Sequence, residues 1–461
     1  MNSDFIYIVS AILLIWGIKL LGKTASARKG NFISAAGMFL AILVTLLRFP
    51  PQNLTVTFAV AFAGAYVGLL MAIRVQMTAM PEMVALFNGF GGLASVAVGI
   101  VEGIKLNYIP QFYYDFQLYF AQVATCLTII IGAITFTGSL IAYGKLSQKM
   151  PTGSICFCGQ KWVDAFLVVL LVVASCEWIY AHNVWAFYTL IALSTIGGGL
   201  FVLHIGGGDM PVIISLLNSL SGIAAGAAGL ILLNKVLIVA GCLVGTSGLI
   251  LTLIMCKAMN RSVQKVLLGG FAQKQTKKQA GTQLEPKTIS VEDAYYILEA
   301  ARTVAIVPGY GLAVAQAQHA VKDLAQRFMQ NGADVFYAIH PVAGRMPGHM
   351  NVLLAEADVD YDQLTELETA NTRFADTDVA IVVGANDVVN PAAVENPDSP
   401  LYGMPILEVF NARTVFVLKR GQGKGFSGLE NELFTKDNTR MIYGDAKSTL
   451  TQLAAEFKNA E

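Results

Sequence analysis

Thr303-Val304-Ala305-Ile306-Val307-Pro308-Gly309-Tyr310-Gly311-Leu312-Ala313-Val314 decides how the C-terminal part of the chain is read. A short apolar run, Thr303–Val307, passes directly into glycines, and the glycines open an apolar-periodic segment that reaches Gln330. That order predicts a strand, a tight turn and a helix. Glycines at such a turn let backbone N–H groups approach a pyrophosphate at a helix N-terminus, although Val314 stands where the usual fingerprint has a third glycine.

The same pattern continues on both sides. Upstream, Ser290-Val291-Glu292-Asp293 resembles a capping box and starts an amphipathic helix to about Ala301. Downstream, strands are expected at Asp334–Ile339, Val379–Val383, Thr414–Leu418 and Met441–Tyr443, with a helix at Met350–Ala357 and another at the C-terminus. Strands alternating with helices imply a soluble α/β, Rossmann-like domain over 290–461, with a parallel sheet covered on both faces. Ligands of such sheets bind beyond the carboxyl ends of the strands. The polar and glycine-rich clusters lie at those ends: Gly309, Tyr310 and Gly311 with Ala313 and Val314; the loop His340–His349; Gly384-Ala385-Asn386-Asp387; Lys419-Arg420; and Gly444-Asp445-Ala446-Lys447.

Two features of these clusters favour NADP over NAD. The second strand ends in Ile339-His340-Pro341, with no acid to grip a free 2′-hydroxyl. Lys419-Arg420, followed by Gly421, Gly423 and Gly425, offers two cations on a flexible loop, suited to a phosphate or simply to a solvated turn. The loop carrying Val342, Ala343, Gly344, Arg345, Met346 and Pro347 can wrap a nicotinamide and phosphates, with Arg345 on an anion. Asp387 at a strand end either caps a helix or touches a cofactor. No metal site is expected, because neither His340 nor His349 has a cysteine or acidic partner at ligand spacing. No Ser/His/Asp triad or Walker motif is found.

The N-terminal half has a different composition. Residues 1–257 hold 12 Lys/Arg and 7 Asp/Glu, net +5, while residues 258–461 hold 19 and 24, net −5. The whole chain has a formal net charge of zero, is 55% apolar and only 13% charged. This excludes a disordered chain and a nucleic-acid binder working through bulk positive charge. Nine apolar stretches are long enough, or nearly so, to cross a bilayer: 5–22, 32–48, 54–73, 83–104, 118–142, 162–181, 185–205, 212–233 and 236–257. The expected architecture is therefore a membrane all-α domain of about nine transmembrane helices over 1–258, a polar linker over 259–289, and the α/β domain. The first stretch is read as a retained helix, since Asp4 and no Lys or Arg precedes it. Lys23, Arg28, Lys29, Arg74, Lys145, Lys149 and Lys161 fall in loops on the side of the C-terminal domain. The positive-inside rule then places that domain inside and the N-terminus outside: in a bacterium the domain faces the cytoplasm at the inner membrane, in an organelle the equivalent matrix side. Scattered cysteines, none in a C-x-x-C pair, read as isolated thiols.

Polar residues in the apolar stretches carry alternative readings. Glu82 and Asp209 each adjoin a proline and serve either as helix caps or in function. Asn88 and Asn218 are interhelical glue or part of a polar path. His204, beside Gly206-Gly207-Gly208, is a weaker relay candidate, and Thr246 and Ser247 lie between glycines. Glycines at Gly64/Gly68, Gly89/Gly91/Gly92, Gly222/Gly226/Gly229 and Gly241/Gly245/Gly248 read chiefly as close helix packing.

Taken together, Gly309-Tyr310-Gly311, His340–Met350, Gly384–Asn390, Lys419-Arg420 and Gly444–Lys447 resemble the NADP-binding domain of proton-translocating nicotinamide nucleotide transhydrogenase. Met80-Pro81-Glu82, Gly206–Pro211, Asn218-Ser219 and Met255–Ser262 resemble its membrane motifs, and the likeness is to the beta subunit. The resemblance implies hydride transfer from NADH to NADP coupled to inward proton movement. It implies NADP(H) on this chain in a reversed orientation, and NAD(H) on a separate alpha chain or chains that also add helices, in a dimer of alpha–beta units. It further implies cofactor contacts from Asp445, Ala446, Gly425 and Phe426, a coupling role for Asp387, and a proton path including Asp209, Asn218, Thr246 and Ser247. Two positions depart from the pattern. Asn88 stands where some members carry a proton-transferring histidine, so that group is expected on the partner chain; Phe426 stands where many have tyrosine. Competing readings are an NADP-regulated channel or transporter and a membrane-anchored reductase.

Overall fold

The computed structural model describes residues 3–22, 24–48, 51–108, 116–151, 153–157, 159–268, 286–346, 348–399, 401–421, 423, 425, 427 and 429–459. Linker residues 269–285, Pro347 and Phe426 lie outside the described residues.

Among the described residues the N-terminal half forms nine α-helices: α1 (Ser3–Leu21), α2 (Thr24–Arg48), α3 (Leu54–Arg74), α4 (Met80–Asn107), α5 (Phe116–Leu146), α6 (Gln160–Ala181), α7 (Val184–Leu203), α8 (Met210–Ile231) and α9 (Lys235–Ala258). Eight helical segments among the described residues are long and apolar enough to cross a membrane, and Phe5–Leu21 is a shorter apolar helix. The second helix starts eight residues earlier than the apolar run suggests. Its polar first turns pack on α1, where a Cβ on Gly30 would stand 2.8 Å from the Gly17 carbonyl, and Ser26 Oγ donates to Leu20 O at 2.7 Å. The helices α4, α5, α7 and α8 pack on one another, α5 and α8 being the most buried spans. By contrast, α3 has no buried residue.

The glycine stripes divide into two kinds. At Gly92 and Gly132, helices α4 and α5 approach so closely that a Cβ on either would lie 2.6–2.9 Å from the other's carbonyl oxygen. Gly222, Gly229, Gly241 and Gly248 likewise press α8 against α9 backbone to backbone. Gly64 and Gly68, in contrast, have nothing within 4 Å of such a Cβ.

A compact unit extends from the N-terminus to Leu253, and Ile254–Val266, with the short helix α10 (Val263–Leu268) overlapping its end, group with the second unit. That unit then runs α11 (Val291–Glu299), β1 (Thr303–Pro308), α12 (Tyr310–Val314), α13 (Gln318–Gln330), β2 (Asp334–Ile339), α14 (His349–Glu356), β3 (Leu364–Glu366), α15 (Leu367–Arg373), β4 (Val379–Val383), α16 (Ala392–Glu395), β5 (Thr414–Lys419), β6 (Thr439–Tyr443) and α17 (Ala446–Asn459). The six strands form one parallel sheet in the order β3-β2-β1-β4-β5-β6. Burial along β1 and β4 is nearly continuous, as expected where helices cover both faces. Strand order reverses between β1 and β4, and the crevice beyond their carboxyl ends is where this architecture places ligands.

Several local details differ from the sequence reading, among them the unexpected short helices α15 and α16. The segment 309–330 is two helices, broken where Gln316 takes φ 48°. The short edge strand β3, only three residues long, was not anticipated.

Candidate functional site

Beyond the carboxyl ends of β1, β4 and β5 lies a cleft of about 450 Å³. Dinucleotide and drug-sized ligands occupy clefts of about 300–1,000 Å³. Its lining includes Gly309, Tyr310 and Gly311 after β1; Val342, Ala343 and Gly344 after β2; Gly384–Val388 after β4; Leu418–Gly421, Gly423 and Gly425 after β5; and Gly444 and Ala446 after β6. The structure thus brings together residues from each of the strand-end clusters singled out in sequence. Ala313 is buried behind the turn, and Val314 is exposed. Arg345, Met346 and Asp445 are not in the lining.

The glycine turns do not act as the fingerprint suggests. Gly309 N–H donates to Val383 O and Gly311 N–H to Gly384 O, both at 2.9 Å. These two donors are therefore committed to β4 and its turn rather than open to a phosphate. The glycines serve approach instead. A Cβ on Gly311 would stand 2.6 Å from the Gly384 Cα, and Gly384 takes φ 66°, which favours glycine.

On the β4 side, Asn386 and Asp387 hold the segment after β5 across the cleft. Asp387 accepts from Ser427 N–H at 2.9 Å and from Ser427 Oγ at 2.7 Å. Asn431 Nδ2 donates to Asn386 O at 2.9 Å and to Asn386 Oδ1 at 3.1 Å, and Asn390 Nδ2 donates to Glu430 O at 3.2 Å. Asp387 is thus tied to the chain that closes over the cleft. The Asn386 Nδ2 amide is buried with no hydrogen-bond partner among the described residues, although it belongs to a cleft-lining side chain. Buried donors are rarely left unmet, so this one suits a ligand acceptor. Ser427 and Asn431 were missed in sequence; nothing in a Ser or Asn on a loop distinguishes such a tie.

The cations sit at the end of β5. Lys419 Nζ donates to Gly423 O at 2.5 Å and lies 4.6 Å from the centre of the Phe434 ring. Partial burial lowers the ammonium's pKa, and the nearby Asp387 charge works the other way. Arg420 lines the cleft beside it. A half-desolvated ammonium with protons to spare and an adjacent guanidinium suit a phosphate dianion.

The loop after β2 is braced from within. His340 is buried; its Nε2 donates to Pro405 O at 2.8 Å and its Nδ1 accepts from Val342 N–H at 3.2 Å. Burial pulls its pKa down to about 4, so the ring is neutral at pH 7. His349 Nδ1 accepts from Arg345 N–H at 3.1 Å, and burial, with the Arg345 charge, lowers its pKa too. The Arg345 guanidinium lies 4.4 Å from the centre of the Tyr310 ring, linking this loop to the β1 turn. Among the described residues no three His, Cys, Asp or Glu side chains gather as a metal site would require.

In the membrane half, Asn88 Nδ2 on α4 donates to Ile214 O on α8 at 3.4 Å. Asn218 is half-buried on α8, and Asp209 is half-buried in the turn preceding it. His204 is buried, its Nε2 2.7 Å from Leu267 O and its Nδ1 3.3 Å from Leu200 O. Thr246 and Ser247 lie on the exposed side of α9. The hydroxyls facing α8–α9 contacts are others. Ser219 Oγ donates to Gly245 O at 2.6 Å, Ser215 Oγ to Gly248 O at 3.2 Å, and Thr252 Oγ1 to Ser215 Oγ at 3.1 Å.

Comparison with known proteins adds two findings. A family model described as NAD(P) transhydrogenase beta subunit matches residues 3–456. Two curated relatives, each an NAD(P) transhydrogenase subunit beta, one from Rhodospirillum rubrum and one from a named strain of that species, are 46% identical to this chain over 455 residues, covering 97% of this chain and 97% of the relative.

Proposed function

The chain belongs to the NAD(P) transhydrogenase beta-subunit family, and from that premise we propose that it passes hydride from NADH to NADP while protons cross the membrane inward. NADP(H) occupies the cleft of this chain, and NAD(H) is held by the alpha subunit. The C-terminal domain faces the cytoplasm of a bacterial inner membrane, the N-terminus lies outside, and the active particle is a dimer of alpha–beta units. Residues 1–258 carry proton movement, 259–289 form the linker and 290–461 hold the nucleotide.

One observation carries this reading. Lys419 and Arg420, cations that line the cleft at the end of β5, stand at the edge of a switch-point crevice whose β2 end offers His340 and Pro341 rather than an acid. That is the electrostatics of a 2′-phosphate site rather than of a free 2′-hydroxyl. Bound NADP would supply the hydride acceptor. Gly309, Gly311 and Gly384 let the chain come close to it, and Asn386 offers its unmet amide N–H. Asp387, through Ser427, holds the covering segment in place, which makes it the candidate for sensing the state of the bound nucleotide. No side-chain acid or base is needed for the hydride step itself; positioning does that work. Asn88, Asp209 and Asn218 are the candidates for the proton path, with Thr246, Ser247 and His204 as further candidates.

The test uses the alpha–beta complex in sealed vesicles with NADH and an NADP analogue. Hydride transfer that an uncoupler changes supports the reading. Nucleotide-dependent ion flux without hydride transfer would establish the channel instead.

A further inference from the structure

Lys145 sits in the last turn of α5, and its side chain is only 1% exposed. By sequence it reads as a loop lysine setting topology. Its ammonium instead donates to Leu203 O at 2.5 Å and Ile205 O at 2.6 Å, with Gly153 O at 3.4 Å and Val202 O at 3.5 Å. Among the described residues its partners are all carbonyls. Burying a cation in a membrane domain is costly, so the site must return something for it.

What it returns is a cap from another helix. Val202 and Leu203 belong to the final turn of α7, whose carbonyls carry the negative end of the helix dipole; Val202 O also accepts from Ile205 N–H at 3.2 Å and Leu203 O from Ile155 N–H at 3.3 Å, so the ammonium adds to these contacts. Holding Ile205 O as well, the ammonium fixes the chain just past α7. Ile205 is buried, and so is Met210, where α8 begins. Between them runs the half-buried stretch Gly206-Gly207-Gly208-Asp209. Gly206 has nothing within 4 Å of where a Cβ would be. Asp209 N–H closes the turn on Gly206 O at 3.1 Å, and Lys145 clamps the end of the chain from which that turn starts.

We propose that Lys145 is a positioning residue for proton translocation, clamping the α7 terminus so that the glycine turn presents Asp209 in a fixed place. The proposal rests on the reading of Asp209 as part of the proton path.

The test is carried out on the full alpha–beta complex in vesicles. Protons moved per hydride transferred are measured for K145M, K145Q, K145R and D209N, together with assembly and bound nucleotide. The expected result is that K145M and K145Q assemble, keep their nucleotide and lose at least half of the protons per hydride, while K145R keeps the ratio. A structural filler would not move that ratio. Wild-type ratios in the assembled neutral variants overturn the proposal. If D209N loses coupling in the same experiment, only the role of Lys145 falls; if D209N also couples normally, the reading of Asp209 falls with it. Failure of both neutral variants to assemble assigns Lys145 to folding and likewise overturns the proposal.

Discussion

At His340 the fold depends on a neutral ring. Its unfolded pKa is near 6.5 and its folded pKa about 4, because burial disfavours the charged form. The unfolded chain therefore binds the proton first, and the stabilisation present above about pH 6.5 is lost as pH falls towards 4. His349 acts in the same direction. In urea titrations of the nucleotide domain, His340→Gln should shrink the stability lost between pH 7 and pH 4.5 by about 2–3 kcal/mol. An unchanged loss would mean that the ring is not the group that titrates. The neighbouring cations make a second expectation. Changing Lys419 and Arg420 together to Ala should weaken NADP(H) binding about 10- to 100-fold and NAD(H) binding far less, since hydrogen bonds to charged groups contribute about 1.5–3 kcal/mol. Calorimetry giving equal losses for both nucleotides would remove the phosphate assignment. The place of these cations at a strand end was legible in sequence, whereas a phosphate site and a solvated turn read alike there. Lys145 was not legible, since a lysine after an apolar run looks the same whether it meets water or the end of a neighbouring helix.

Strands were the most legible elements. The runs 334–339 and 379–383 match β2 and β4, because β-branched residues bounded by turn signals leave little choice. The break between α12 and α13 was hidden, because Ala315-Gln316-Ala317 contains no glycine or proline. Tertiary packing decides it, with Ala313 and Ala317 both buried. Glycine stripes were legible as packing signals but not as to which stripe packs. That division can be tested by one methyl group. Gly222→Ala puts a Cβ against the α9 backbone, 2.8 Å from Gly245 Cα and 2.9 Å from Gly241 O, and backbone cannot yield as a side chain can. Overpacking of this kind costs about 1–3 kcal/mol, so the thermal midpoint of the purified protein in detergent should fall by several degrees. Gly64→Ala and Gly68→Ala should leave it in place. Three equal midpoints would show that the α8–α9 seam is no tighter than the surface of α3.

For the whole molecule, the described residues include a cleft of dinucleotide size beyond a parallel sheet, in a chain whose other half is apolar helices. Transhydrogenation needs two nucleotides side by side. The purified chain alone should bind NADP(H) yet transfer no hydride from NADH, and activity should appear when the alpha subunit is added. Turnover by the chain alone would show that both nucleotides bind here. The meeting of Gly309 and Gly311 with Gly384 and Ala385 has a consequence for redesign. Two turns seated on each other's main chain leave no side chain to exchange, and an added methyl on either meets the other's backbone. On the proposed phosphate assignment, engineering a preference for the unphosphorylated dinucleotide is therefore a problem of two rims. The cations after β5 would be exchanged and an acid installed after β2, with the glycines between them left untouched.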